Sequence, residues 1–109
     1  MQLGLTVTSI SLEGAEALLD AAIAKSVADG KAMVIAVVDA AGNLKAFRRM
    51  DGSPNLSVDI AINKAWTASS YGYPIMIDGQ LAVGIGSSGG HYSEDMAVAE
   101  AAPAAVGLA

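Results

Sequence analysis

Ile75-Met76-Ile77-Asp78-Gly79-Gln80-Leu81-Ala82-Val83-Gly84-Ile85 is the stretch whose reading decides the fold. Two apolar, β-prone runs flank Asp78-Gly79, a dipeptide suited to a two-residue type I′ turn because both central positions there need positive φ. The stretch reads as a β-hairpin. A second hairpin lies upstream. Met33-Val34-Ile35-Ala36-Val37-Val38 is a short apolar run of the buried-strand kind, Asp39-Ala40-Ala41-Gly42-Asn43 is turn chemistry, and Leu44 to Arg48 returns as a strand. Two hairpins predict an antiparallel sheet, and its apolar faces require helices to cover them.

Working outward, Leu3, Leu5 and Val7 alternate with Gly4, Thr6 and Thr8, the period of a short half-buried strand. Ser11 offers a helix N-cap with Glu13 in the first turn. Leu12, Ala15, Leu19, Ala22, Ile23 and Val27 recur at helical spacing until Gly30 supplies a stop. Between the hairpins, Pro54 can open a helix over Leu56 to Ser70. Val58, Ile62, Ala65, Trp66 and Ser69 share one face of it, and Gly72 and Pro74 end it. Ser87-Ser88-Gly89-Gly90 reads as a flexible bend, and Ser93 or its neighbours cap a last helix carrying Met96, Val98 and Ala99. The expected fold is α+β, with the order β-α-β-β-α-β-β-α.

Composition bounds the function. At 109 residues the chain fits one domain, residues 1–109. Eleven acids against six Lys and Arg give a net charge of −5, and Lys45, Arg48 and Arg49 form the one basic cluster, which argues against a nucleic-acid footprint. With no cysteine there is no disulfide, Fe–S or thiolate site, and one histidine cannot build a three-ligand zinc site, so no structural metal is expected. No apolar run is long enough to cross a membrane, and the start lacks a basic leader. The expectation is a soluble, cytoplasmic protein. A hydrophobic share of 53% with few aromatic residues predicts that apolar helix or sheet surface is covered by a partner copy, burying more than about 1,000 Å² in a homo-oligomer.

Three segments together resemble the GlcG/HbpS-like family, which includes the C-terminal domain of PduO-type proteins and is associated with haem binding or degradation. They are Val37-Val38-Asp39-Ala40-Ala41-Gly42-Asn43-Leu44 with Phe47-Arg48-Arg49-Met50-Asp51-Gly52; Ser57-Val58-Asp59-Ile60-Ala61-Ile62-Asn63-Lys64-Ala65-Trp66-Thr67-Ala68; and Pro74-Ile75-Met76-Ile77-Asp78-Gly79 with Gly84-Ile85-Gly86-Ser87-Ser88-Gly89-Gly90 and Asp95. The resemblance covers nearly the whole chain. It implies a profilin-like layered fold and assembly into dimers or larger oligomers. It implies function only broadly, since family members are tied to haem, to corrinoids and to small-molecule catabolism. It fails at one point: family members carry a further helix and loop between the equivalents of Tyr73 and Ile75. Either this is a short form that lacks a wall of the usual pocket, or residues are missing from the sequence there. The little room to turn from helix to strand favours missing residues.

Six residues are candidates for the site. His91 is the only histidine, and it follows Gly89-Gly90; it can ligate haem iron or act as a general base, or it is simply a solvated loop residue. Arg48, Arg49 and Asp51 lie where a strand meets a loop; an arginine there can clamp a carboxylate such as a haem propionate, or form an ion pair with Asp51 or Asp59. Lys64 on its helix can attack carbonyls if its pKa is lowered, but a snorkelling or ion-paired lysine is the favoured reading. Thr67 can line the same face as a hydroxyl donor. Gly84, Gly86, Gly89 and Gly90 are read as close backbone packing and not as a phosphate loop, since no Walker lysine or dinucleotide spacing accompanies them. The leading function is binding of a small ligand, with haem or a related tetrapyrrole first. One alternative is an isomerase, hydratase or lyase acting on a carbonyl or carboxylate compound, with Arg49 as clamp and Asp51, Lys64 and His91 as acid–base groups. The other is an assembly subunit without ligand.

Overall fold

Helix α1 (Leu12–Ala28) begins where the Ser11 hydroxyl accepts the Gly14 N–H, and it ends at Asp29, after which Gly30 takes a left-handed φ of 70°. In this computed structural model, which describes residues 1–67 and 73–108, the remaining elements are β1 (Val34–Asp39), β2 (Leu44–Arg49), α2 (Leu56–Trp66), β3 (Tyr73–Ile77), β4 (Gln80–Ser88) and α3 (Tyr92–Ala105). The four strands form one sheet in the order β2-β1-β4-β3, antiparallel at every pairing. Both hairpins form as expected. Asp78 (φ 52°) and Gly79 (φ 77°) are both left-handed, as the type I′ turn requires.

Strand β1 is buried on both faces, and its alternation sets up two cores. Ile35 and Val37 join Leu18 and Leu19 of α1 and Val98 and Ala99 of α3 on one side. Val34, Ala36 and Val38 pack with Ala61 and Ala65 of α2, flanked by Phe47, Val58 and Ile62, on the other. Helices thus cover both faces of an antiparallel sheet, an α+β layered fold. No helix among the described residues is long and apolar enough to cross a membrane.

Several expectations need correction. The strand expected over Leu3 to Thr8 is not formed. Residues 1–9 carry no strand, because a strand needs a laddered neighbour and this segment joins none of the four strands of the sheet. The buried stripe of α2 is Ser57, Ala61 and Ala65, small residues that let the helix lie close to the sheet, while Trp66 is 67% exposed. Along α1, Leu18 and Ser26 are buried, whereas Leu12 and Val27 are exposed. Helix α2 begins at Leu56 after Asn55, and Pro54 stands just outside, its carbonyl accepting the Ser57 N–H. Ser87 and Ser88 belong to β4, and the bend is confined to Gly89 and Gly90. The N-cap of α3 is His91. β3 starts at Tyr73, two residues earlier than Ile75. Ser69, the expected continuation of α2 to Ser70 and the link at residues 68–72 lie outside the described residues, as do the chain steps that would decide whether a segment is missing there.

Candidate functional site

Gly86 positions the most interconnected group of polar side chains. A Cβ at this position would lie 2.3 Å from the Ala61 carbonyl oxygen and 2.5 Å from the Ala65 nitrogen, so only glycine allows α2 to sit this close to β4. The approach brings Lys64 over the end of β4. Its Nζ donates to the Ser87 carbonyl at 3.0 Å and to Asp95 Oδ2 at 2.8 Å. The other Asp95 oxygen accepts the Gly90 N–H at 2.9 Å, and the Ser87 hydroxyl donates to the Asp95 carbonyl at 2.5 Å. The Tyr92 ring centroid lies 6.0 Å from Nζ, at the limit of a cation–π contact. Both charged side chains are largely enclosed, with 14% of Lys64 and 6% of Asp95 exposed. Among the described residues no buried side-chain polar atom lacks a partner. The lysine therefore ties α2, on one face of the sheet, to α3 on the other, and is held as a fully bonded ion pair.

One turn before Asp95, the chain turns into α3 at His91, which is exposed. Glu94 Oε1 accepts the His91 backbone N–H at 2.8 Å, and Glu94 Oε2 pairs with Lys31 Nζ at 2.9 Å. The hydrogen bond from His91 and then the Lys31 contact hold the Glu94 carboxyl below its ordinary value of 4.5. An acid in the first turn also suits the positive end of the helix dipole.

Register places the remaining candidates. Arg49 pairs with Val34 of β1, and Val34 pairs with Ser88 of β4, so these three form one row across the sheet. At about 4.8 Å per strand, Arg49 stands roughly 10 Å from Ser88, from which Gly89 and Gly90 lead to His91. Arg49 and Asp51 are exposed and take part in no ion pair among the described residues. The register therefore puts Arg49 and Ser88 in one row at one end of the sheet, with Asp51 two residues beyond Arg49 and His91 three residues beyond Ser88. Arg48 points to the opposite face. It pairs with Glu16 at 2.6 Å and with Asp20 on α1, and these two acids, Asp20 first, raise its pKa further. The expected partners Asp51 and Asp59 are not the ones used, because alternation along β2 turns Arg48 toward α1. Thr67 caps the far end of α2, its hydroxyl donating to the Asn63 carbonyl at 2.7 Å. Sequence reasoning left Asp95 and Ser87 without roles. The signal for Asp95 was an acid in the first turn of a helix that follows a glycine bend.

A separate cleft of about 90 Å³ lies at the other end of the sheet, lined by Val38, Asp39, Gly42, Trp66, Leu81 and Gly84. None of the six candidates lines it. Pockets that enclose organic ligands run to about 300–1,000 Å³, so this cleft is too small to surround one.

Residues 10–72, more than half of the chain, match the family of haem-degrading HbpS-like proteins. A 15.0 kDa protein from the dhaT–dhaS intergenic region of Citrobacter freundii is 28% identical over 129 residues, covering 88% of this chain and 91% of that protein. Those 129 positions meet only about 96 residues of this 109-residue chain, so the relative carries roughly 33 that this chain lacks. The family match stops at residue 72, just before the link from Tyr73 to Ile75 at which the resemblance noted in the sequence fails. The crystal structure of the Klebsiella pneumoniae protein ORFY superposes with a TM-score of 0.93 at 25% identity, covering 100% of this chain and 98% of that one. A PduOC:haem complex superposes with a TM-score of 0.87 at 25% identity, covering 94% and 98%.

Proposed function

The chain belongs to the family of haem-degrading HbpS-like proteins, and from that premise we propose that it binds a small ligand, with haem or a related tetrapyrrole the leading candidate. The observation that carries the proposal is that Arg49 and Ser88, which Asp51 and His91 closely follow in the chain, share one row at the end of the sheet. The donor set suits such a ligand. His91 is the sole imidazole and is exposed, and Gly89 and Gly90 place no side chain on its approach. Arg49 is an exposed cation with no acid paired to it among the described residues, available to the carboxylates of a propionate-bearing ring. When bound, haem supplies a redox-active iron.

The ligand is proposed to lie on the open surface beside His91, since the 90 Å³ cleft at the other end is too small. The enzyme alternative loses support at Lys64, whose ammonium is bonded to Asp95 and Ser87 and is not poised to attack a carbonyl. Lys64 and Asp95 instead hold α3 against β4 and so fix the position of His91. A homo-oligomer in the cytoplasm is part of the same proposal. Titration of the purified protein with haemin, followed by absorption, tests it: a saturable Soret shift supports binding, and a spectrum equal to the sum of the two components rejects haem.

A further inference from the structure

The first seven residues are the part of the molecule that the ligand reading leaves unused. Ile10 is 6% exposed and sits in the core beside Leu18 and Leu19, so the root of the segment is fixed. The Ser9 hydroxyl accepts the Ala40 N–H from the turn between β1 and β2, at 3.0 Å, which fixes its direction. Beyond that point exposure climbs steadily, from 61% at Val7 to 79% at Leu5 and 91% at Leu3. The molecule is 53 Å long but only 26 by 22 Å across. A long axis of twice the width accommodates an extended segment projecting from the body, at roughly 3.3 Å per residue. The segment leaves the body.

Its composition says what it is suited to meet. Leu3, Leu5 and Val7 fall on one side of an extended segment, with Gly4 and Thr6 between them. This is the pattern of a strand with one apolar face, left in water by its own chain. Residues 1–9 contain no Lys or Arg, so neither an anionic lipid surface nor nucleic acid is matched. The same chain supplies a receptor. Both sheet edges, β2 and β3, have no further strand beside them among the described residues, and Leu44, Met76 and Leu81 are exposed large apolar residues on or next to them. An unpaired apolar segment and unpaired edges on one molecule are both satisfied when two copies exchange segments about a two-fold axis.

We propose that residues 2–7 form an exchange arm, which each copy lays along an open sheet edge of a second copy. The arm is the source of the assembly, and this holds whether or not the protein binds haem. Light scattering on the full chain and on a variant lacking residues 2–7 tests it. Val7 and the residues before it are exposed, so their loss leaves the core intact, and Thr8, Ser9 and Ile10 are retained. The expected result is an oligomer for the full chain and a mass lower by at least half for the shortened one, with an unchanged far-ultraviolet spectrum. Leu5→Asp, a substitution at an exposed position, is expected to lower the mass in the same way. A monomeric full chain overturns the proposal. So does an oligomer whose mass neither change alters, and that result moves the contact to the helix or sheet surface alone.

Discussion

Replacing Gly86 with alanine adds one methyl group at the tightest contact between α2 and the sheet. That methyl would lie 2.3 Å from the Ala61 carbonyl oxygen, 2.5 Å from the Ala65 nitrogen and 2.9 Å from Lys64 Cβ. Ordinary contact begins near 3.4 Å, so α2 must retreat by about 1 Å. None of the first two obstacles is a flexible side-chain end, so the shift falls on the helix as a whole. It also draws Lys64 away from Ser87 and Asp95. Overpacking of this kind costs roughly 1–3 kcal/mol. The weakened buried ion pair puts Gly86→Ala at the top of that range, about 3 kcal/mol. In a domain of this size that corresponds to a fall in Tm of roughly 15 °C. The opposite expectation is explicit: alanine is intrinsically better than glycine inside a strand by about 0.5–1 kcal/mol. Thermal and urea unfolding of wild type and Gly86→Ala decide between them. A Gly86→Ala protein as stable as wild type would refute the packing argument.

Two further predictions concern the groups around α3. Lys64→Met leaves the Asp95 carboxylate enclosed without its cation and is expected to cost about 3 kcal/mol by urea unfolding, the lower end of the range for broken buried pairs because Lys64 keeps some exposure. In a double-mutant cycle with Asp95→Asn, the two losses should fall short of additivity by more than about 1 kcal/mol, and simple additivity would show that the pair is not coupled. Glu94 has a lowered folded-state pKa, so the stability it contributes is present above its ordinary value of 4.5 and is lost as pH falls through the lower folded value. Wild type is therefore expected to be more stable than Glu94→Gln at pH 6 and to converge with it near pH 3; a constant gap across that range would contradict the assignment.

What could be read from the residues alone was whatever depends on local chemistry. Asp78-Gly79 specifies its turn through backbone sterics, and Ser11 specifies its cap through one hydroxyl, so both appear where expected. The helix faces are less legible, because spacing groups residues on a face without saying which face meets the sheet. Trp66 is the largest apolar side chain of α2, yet the buried stripe is Ser57, Ala61 and Ala65, chosen by how closely the helix must approach Gly86. The alternation of residues 3–8 was visible, but no local feature states whether a strand finds its partner in its own chain. The partners of Arg48 were missed for a related reason. They sit on α1, about 30 residues away in sequence, and only the sheet register shows which face the arginine takes. Likewise Lys64 was rightly weighed as an ion-paired residue, but its partner Asp95 depends on how the end of β4 meets α3.

The central claim is that a tetrapyrrole binds at the end of the sheet through His91, and haemin titration of wild type beside His91→Ala tests it most directly. His91 is exposed and its side chain is not part of the core, so the variant should fold as wild type does. The prediction is a Soret band that saturates in wild type and is shifted or weakened in the variant. Identical spectra and affinities for the two proteins would contradict the account and remove His91 from the site.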